Sequence, residues 1–380
     1  MFKPKRVEIS KEKLELYQDI YWNKSDADFY INEDIAPMQQ RMAEQGVEAF
    51  SLLGKEHVGA FGAPYVNSFE NADIVMYGLT MDKCSPNAGG HKFGPGAIRD
   101  ASKTGMGLIH QDGTMPFELC NIIDYGNWDG LGQFNLDEEM RNAQKVVDDM
   151  VINHGCTPFF FGGDHTVAYP GPAALAKVHG PVSLIHIDGH FDLLTRADFD
   201  YESYSGNWYC RLASEGAIDP TTSVSMGMRG RWCASQQGKA KAIGGNFYLA
   251  DEIYDLGVDY IVEQILEKQG DGRPVYLTFD LDGLDLLDHS ANSSPRSIWC
   301  FPARMYYDIF RKLRATKRIN LVGADIAEFA PQKNSDEKDA LLTAAFGWEL
   351  LVWLAECRHI REGKKNPTEW PMSFGRNIEF

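Results

Sequence analysis

The stretch that most constrains the fold of this chain is PVSLIHIDGHFD, residues 181–192. Its first half is a short apolar run with the pattern of a strand that is buried on both faces, as in a parallel sheet. Asp188, His190 and Asp192 follow at alternate positions. The loops after parallel strands converge on one crevice, where α/β proteins build their sites. Two carboxylates and an imidazole packed this closely need a cation to gather them, so the stretch predicts a metal site.

Two other segments place the same residue types after apolar runs. GGDH (162–165) follows the strand predicted over 158–161, and FDLD (279–282) follows VYLTF. Taken singly, such a histidine is typical of a protein core and such an acidic pair of a turn, but three segments together favour metal binding. Four aspartates and two histidines suit two divalent ions such as Mn²⁺ or Ni²⁺ better than one structural Zn²⁺, which prefers cysteine. Two ions about 3.5–4 Å apart can hold a hydroxide nucleophile at neutral pH. The six predicted metal ligands are His165, Asp188, His190, Asp192, Asp280 and Asp282.

Alternating apolar segments predict the fold class, which is α/β with a mainly parallel sheet covered on both faces by helices. Strands are predicted over 72–78, 158–161, 182–187, 222–228, 275–279 and 319–324, and helices from 95 and over 141–154, 260–269, 303–315 and 338–358. One domain over 72–380 and an N-terminal extension over 1–71 are therefore predicted. Helices are predicted in the extension over 10–19, with Leu14 and Tyr17 inward, and over 33–53. The extension is interpreted as a cap or an oligomer contact, or as a lid over the site.

Charge and cysteine usage limit the partners and the compartment. A formal net charge of −17 argues against nucleic acid and anionic membranes and suits a cationic substrate. The seven cysteines are scattered and never form a Cys-x-x-Cys pair, which is typical of reduced thiols in a cytosolic protein. We see no signal-peptide pattern and no run long enough to cross a bilayer, so a soluble, cytoplasmic protein is expected.

The motifs GGDHT, HIDGHFD and TFDLDGLD resemble three motifs of the ureohydrolase family, which includes arginase and agmatinase. GHKFGPGAIRDAS and ADIAEFAP resemble two more, so the resemblance covers about residues 72–358. It implies a three-layer α/β/α fold, a binuclear manganese or nickel centre, and hydrolysis of a guanidinium group to urea and an amine. It also implies homo-oligomers, either trimers or hexamers.

The resemblance also implies roles for individual residues. One ion would be bound by His165, Asp188, Asp192 and Asp280, and the other by Asp188, His190, Asp280 and Asp282. Glu328 matches the glutamate that receives the guanidinium group, and a carboxylate is a suitable bidentate partner for that planar cation. His186 is interpreted as a support for the site or a core residue.

The loop after the second motif departs from the family. It reads YSGNWYC (204–210) and lacks the family's histidine, which passes a proton to the leaving amine. The proton would then pass through Asp192, our preferred candidate, or through a tyrosine or water, with His289 as a further alternative. The missing histidine also allows a different class of protein, a weakly catalytic metal-binding subunit that pairs with a related active chain.

The segment after the third motif departs as well, because the family's glycines are missing between Asp285 and Cys300. We expect Asn207, Trp208 and Trp299 to contact the substrate in a small aromatic pocket, since aromatic faces accept compact cations. The alternative is that the aromatic residues only pack at the rim. This predicts guanidine, or an N-alkylated guanidine or biguanide such as metformin, as substrate, with nickel as the expected metal and manganese as the alternative. Agmatine, arginine or a guanidino acid is the alternative substrate.

Overall fold

The computed structural model describes residues 9–24, 59–84, 89–104, 106–107, 109–128, 135–292, 299–333 and 337–363. The first of these ranges belongs to a separate compact unit, Met1–Ser51, and holds helix Lys11–Asn23. Ser10 begins this helix by accepting a hydrogen bond from the backbone N–H of Lys13. The prediction that Leu14 and Tyr17 point inward is wrong, because they are 45% and 51% exposed and the described part of this unit has no second element to cover them. The helix predicted over 33–53 lies outside the described residues.

A parallel sheet organises the rest of the chain. Its neighbouring strands pair in the order β2-β1-β3-β8-β7-β4-β5-β6, and each neighbouring pair is parallel. The strands are β1 (Ile74–Leu79), β2 (Ile122–Asn127), β3 (Thr157–Gly162), β4 (Ser183–Ile187), β5 (Val224–Met228), β6 (Asn246–Leu249), β7 (Pro274–Asp280) and β8 (Asn320–Ala327).

Helices cover both faces of this sheet. Along β1, Ile74 and Met76 belong to one buried apolar cluster, and Val75 and Tyr77 belong to another, as expected for alternate residues of a strand. The first cluster packs under helices Gly94–Ser102, Pro116–Leu119, Ala250–Leu256, Val258–Gln269, Ala303–Thr316 and Lys338–Arg361. The second packs under helices Leu136–Asp148, Pro170–His179, Trp208–Ser214 and Arg231–Ile243, with a π-helical turn at Asp149–Asn153. The predicted three-layer α/β/α fold is confirmed.

The sequence did not reveal two strands, β2 and β6, and both lie at the edges of the sheet. All residues of the inner strands β1, β3, β4 and β5 are buried, whereas every residue of β6 is only half-buried and β2 becomes exposed along its length. An edge strand covered on fewer sides does not need a continuous apolar run, so the pattern that identified the inner strands is missing there.

Helix Lys338–Arg361 is long and apolar enough to cross a membrane by length and composition, so the expectation that no such run exists is wrong. However, 72% of its most apolar stretch is buried inside the protein. Trp348 of this helix packs on Phe61, which is itself fully buried and also contacts Phe161 of β3. The helix is therefore a core element of this fold, and residues just before the predicted boundary at 72 contribute to the same core. That boundary stays a prediction.

Candidate metal centre and substrate site

The candidate site lies at the carboxyl ends of the four central strands, β3, β8, β7 and β4. His165 comes shortly after β3, Glu328 directly follows β8, Asp280 ends β7, and Asp188 directly follows β4. Because these strands are neighbours and run in the same direction, their ends bring the motifs together although they are far apart in the chain.

One group of ligand atoms surrounds His165, which is almost fully buried. Its Nδ1 lies 3.0 Å from an Oδ2 of Asp188, 3.0 Å from Oδ2 of Asp192 and 3.3 Å from Oδ2 of Asp280. No hydrogen bond of acceptable geometry satisfies this nitrogen. His186 joins the group, since its Nε2 lies 3.1 Å from Asp188 Oδ2.

A second group surrounds His190. Its Nδ1 lies 3.1 Å from Oδ2 of Asp282 and 3.3 Å from Oδ1 of Asp188. Asp188 therefore faces both histidines, one through each carboxylate oxygen. The six predicted ligands converge, and the bridging role predicted for Asp188 stays a prediction. Their assignment to individual ions stays a prediction.

Two glycines of the motifs allow this close packing. A Cβ atom on Gly163 would lie 1.7 Å from the backbone oxygen of Met81, so no side chain fits there. A Cβ atom on Gly189 would lie 2.9 Å from Oδ1 of Asp282, which instead accepts a hydrogen bond from the Gly189 backbone N–H at 2.9 Å. Glycine between Asp188 and His190 is thus needed to bring the ends of β4 and β7 into contact.

The crowded carboxylates fit divalent cations on chemical grounds. Burial and the charges of Asp282 and Asp188 raise the pKa of Asp280 well above its usual value. Burial and the charge of Asp188 likewise raise the pKa of Asp192. These shifts mean that several buried negative charges repel one another, and a cation among them would relieve that repulsion. The potential ligand atoms of the two groups are carboxylate oxygens and imidazole nitrogens, which suit divalent ions such as Mn²⁺ or Ni²⁺.

A hydrogen-bonded chain beneath the site orients His165. Thr278 donates its hydroxyl hydrogen to Oδ1 of Asp325 at 2.8 Å, and its oxygen lies 2.9 Å from Nε2 of His165. Since the hydroxyl hydrogen is used by Asp325, the oxygen accepts from the histidine, and Nε2 carries the proton. Nδ1, which faces the three aspartates, is then the nitrogen that a metal ion among them would contact.

Glu328 lies beside this group in a backbone conformation that is unusual for a glutamate, with φ at +66°. Its Oε1 accepts a hydrogen bond from the backbone N–H of His165 at 2.8 Å. Its Oε2 lies 3.1 Å from Nε2 of His91, whose Nδ1 lies 3.1 Å from Oδ1 of Asp82. Burial opposes ionisation, but the positive charge of His91 outweighs it, so the pKa of Glu328 is lowered. Glu328 is thus held as a carboxylate.

Asp192 also has a left-handed backbone, with φ at +52°. The indole N–H of Trp208 donates to its Oδ2 at 2.6 Å, and the Trp208 ring packs 5.0 Å from that of His165. Trp208 is 1% exposed, so it supports the metal cluster from the loop that lacks the family's histidine.

The other predicted residues lie at different places. The side-chain amide of Asn207 bonds to backbone atoms of its own loop, at Tyr204, Tyr201 and Glu202. Trp299 is 68% exposed, with a left-handed backbone. His289 packs against Phe329 and lies 3.2 Å from Oγ1 of Thr343. None of the contacts described for these three residues reaches the six predicted ligands, and their roles toward substrate stay predictions.

Four residues around the site were not found from the sequence: Asp82, His91, Thr278 and Asp325. His91 lies within the GHKFGP segment, which was noticed, but its partner Glu328 is far away in the chain. Thr278 and Asp325 lie inside β7 and β8, where alternation predicts only that they share a face of the sheet.

Comparisons with known proteins agree with this geometry. Residues 72–353 match the arginase family. The mitochondrial guanidino acid hydrolase of Homo sapiens is 29% identical over 293 residues, which cover 77% of this chain and 81% of that protein. The mitochondrial agmatinase of Gallus gallus is 30% identical over 299 residues, which cover 77% of this chain and 84% of that protein. The solved structure of proclavaminate amidino hydrolase from Streptomyces clavuligerus superposes with a TM-score of 0.73 at 26% identity, covering 80% of this chain and 98% of that one.

Proposed function

The chain belongs to the arginase family of hydrolases, which act on the C–N bonds of guanidino compounds, and from this premise we propose that it releases urea from a guanidino compound bound at Glu328. The observation that carries the proposal is the position of this buried carboxylate beside the cluster of His165 and its three aspartates. A fixed, ionised carboxylate next to a dinuclear site is what a planar cation needs in order to present its central carbon to a nucleophile.

We propose separate roles for the residues of this site. Two divalent ions, when bound, supply hydroxide at neutral pH and stabilise developing negative charge. Glu328 receives two N–H groups of the guanidinium and orients it. Asp192 is our candidate for carrying a proton to the leaving nitrogen, because Trp208 fixes its Oδ2. The residues proposed to hold the ions are His165, Asp188, His190, Asp192, Asp280 and Asp282.

We propose a guanidino compound with an alkyl chain, such as agmatine or a guanidino acid, as the first candidate substrate. Its support is the similarity to proteins named guanidino acid hydrolase, agmatinase and guanidinobutyrase. A compact guanidine, including guanidine itself or metformin, is the second candidate. The observation that favours it is the loop 204–210, in which Trp208 fills space beside Asp192 and no histidine is present.

The test is urea release from arginine, agmatine, 4-guanidinobutyrate, guanidine and metformin by protein loaded separately with Ni²⁺ or Mn²⁺. Glu328→Gln keeps the shape but removes the charge, and we expect kcat/KM to fall about 100-fold or more with unchanged metal content. Glu138→Gln, an exposed position on helix Leu136–Asp148, is the control and should retain wild-type activity. Two bound ions per chain without urea release from any of the five compounds would contradict the proposal and favour a partner-dependent subunit.

A further inference from the structure

We infer that His91 is a positioning residue that fixes the guanidinium-binding carboxylate of Glu328, with Asp82 holding His91 in turn. The inference rests on the proposed function, because it takes Glu328 as the residue that binds the substrate cation. His91 is fully buried, and its two ring nitrogens lie 3.1 Å from one carboxylate oxygen each, Nε2 at Glu328 and Nδ1 at Asp82. The contacts described above for His91 include none of the six predicted metal ligands.

The position of His91 between two carboxylates determines its charge. Nδ1 forms a hydrogen bond with Asp82, and Nε2 lies 3.1 Å from Oε2 of Glu328 in an ion pair that lacks hydrogen-bond geometry, so negative charges on both sides favour the imidazolium form of the ring. Burial disfavours this charge, but Glu328 and Asp82 outweigh burial and raise the pKa of His91 to about 10. Asp82, His91 and Glu328 together therefore carry a net charge of −1, which one guanidinium cation would neutralise.

The support of His91 does not depend on Glu328. Asp82 accepts hydrogen bonds from the backbone N–H groups of Gly90 at 2.9 Å and of His91 at 3.1 Å, in addition to its contact with the ring. Gly90 has φ at +127°, a conformation that side chains rarely adopt, and the helical turn His91–Phe93 follows immediately. The backbone and the ring of His91 are thus fixed by the same carboxylate before Glu328 is considered.

His165 and His91 contact different oxygens of the Glu328 carboxylate. The His165 backbone N–H donates to Oε1 at 2.8 Å, and the His91 ring forms an ion pair with Oε2 at 3.1 Å. Without His91, the ion pair at Oε2 would be lost, and the buried charges of Glu328 and Asp82 would no longer be balanced by the imidazolium.

The experiment compares two replacements of similar size. His91→Leu fills the space without a donor, and His91→Gln keeps one amide donor. The control is His110→Leu, because His110 is also buried between two carboxylates, with Nδ1 2.8 Å from Asp112 and Nε2 3.0 Å from Glu349, away from the candidate site. For each protein we would measure KM and kcat on the best substrate of the panel, the affinity for the metal alone, and the melting temperature, and solve the crystal structure of His91→Leu.

We expect His91→Leu to raise KM about 10- to 100-fold with kcat changed less than about 3-fold, since an interaction with the bound cation is weakened. His91→Gln should lie between it and the wild type. Metal affinity should stay unchanged, and His110→Leu should lower the melting temperature without changing KM. Equal KM values for His91→Leu and the wild type, or equal effects of leucine and glutamine, would reduce His91 to a packing residue.

The crystal structure separates this inference from the proposed function. If the wild type hydrolysed no guanidino compound, the function would fail, but displacement of the Glu328 carboxylate in His91→Leu would still support the positioning role. If Glu328 kept its place within about 0.5 Å, the geometric tolerance of a functional site, the positioning role would be overturned whatever the activity.

Discussion

Thr278→Val tests whether the chain beneath the metal cluster controls metal binding. The substitution keeps the shape of the side chain and removes one oxygen atom, which lies 2.9 Å from His165 Nε2 and donates to Asp325 at 2.8 Å. Two consequences should be separable. His165 loses the acceptor that fixes its tautomer, and Asp325 loses a donor in a fully buried place.

The two consequences have different magnitudes and readouts. Loss of a partner that orients a ligating histidine typically lowers metal affinity about 10- to 100-fold, which is about 1.4–2.7 kcal/mol. The orphaned Asp325 oxygen should cost about 1–3 kcal/mol in the free energy of unfolding, with or without metal. Affinity for Ni²⁺ or Mn²⁺ would be measured by competition with a chelator, and stability by urea unfolding of the metal-free protein.

Thr343→Val is the matched control. Thr343 is also fully buried, and its hydroxyl also lies beside a histidine Nε2, that of His289 at 3.2 Å. This variant should lose stability and keep wild-type metal affinity. If Thr278→Val bound metal within about threefold of the wild type, or if both variants lost affinity equally, the argument that Thr278 selects the tautomer of His165 would be refuted.

Three further predictions address other parts of the molecule. Removing metal with a chelator should lower the melting temperature, because each site adds about 2.7 kcal/mol of stability when the free metal concentration is a hundredfold above Kd. An unchanged melting temperature would argue against metal binding by the folded state. Trp208→Phe removes the N–H donor to Asp192 and should lower kcat about 10- to 100-fold, whereas Trp22→Phe, 75% exposed, should leave kcat unchanged in a steady-state urea assay. Burial opposes the charge of His110, but hydrogen bonds to two carboxylates raise its pKa from 6.5 to about 9. The charged form of His110 therefore adds about 3 kcal/mol of stability, which should be complete below pH 6.5 and be lost as the pH rises through 9. The unfolding free energies of wild type and His110→Leu, plotted against pH, should converge over that window. Parallel curves would contradict this prediction.

The sequence was sufficient for the inner strands and for the convergence of the metal-ligand types. Both depend on local patterns, since a strand buried on both faces needs a continuous apolar run and its carboxyl end is then a defined place in the sheet. The sequence predicted that His165, Asp188 and Asp280 lie close together, because their motifs come at the ends of β3, β4 and β7. This prediction did not need the order of the strands in the sheet. The edge strands lack that pattern and were missed.

The supports of the site could not be predicted in the same way. His91 and Glu328 meet because a loop after β1 reaches the end of β8, and β1 and β8 both flank β3. Nothing in the local sequence of either residue indicates this contact. The expected contact of Trp208 with substrate stays a prediction, but the sequence did not reveal that a helix begins at this residue and that its indole contacts Asp192 and His165. Such orientations depend on tertiary packing, which residue spacing does not encode.

Glu328 and Asp192, the residues proposed to handle substrate and proton, share a backbone feature that the other five predicted metal ligands lack. Both have positive φ without being glycine, a conformation that costs about 1–3 kcal/mol and persists only when surrounding contacts enforce it. Glu328 contacts the backbone N–H of His165 and the ring of His91, and Asp192 accepts a hydrogen bond from Trp208. Because contacts beyond the predicted ligands hold these two carboxylates, substitution of His91 should raise KM and substitution of Trp208 should lower kcat.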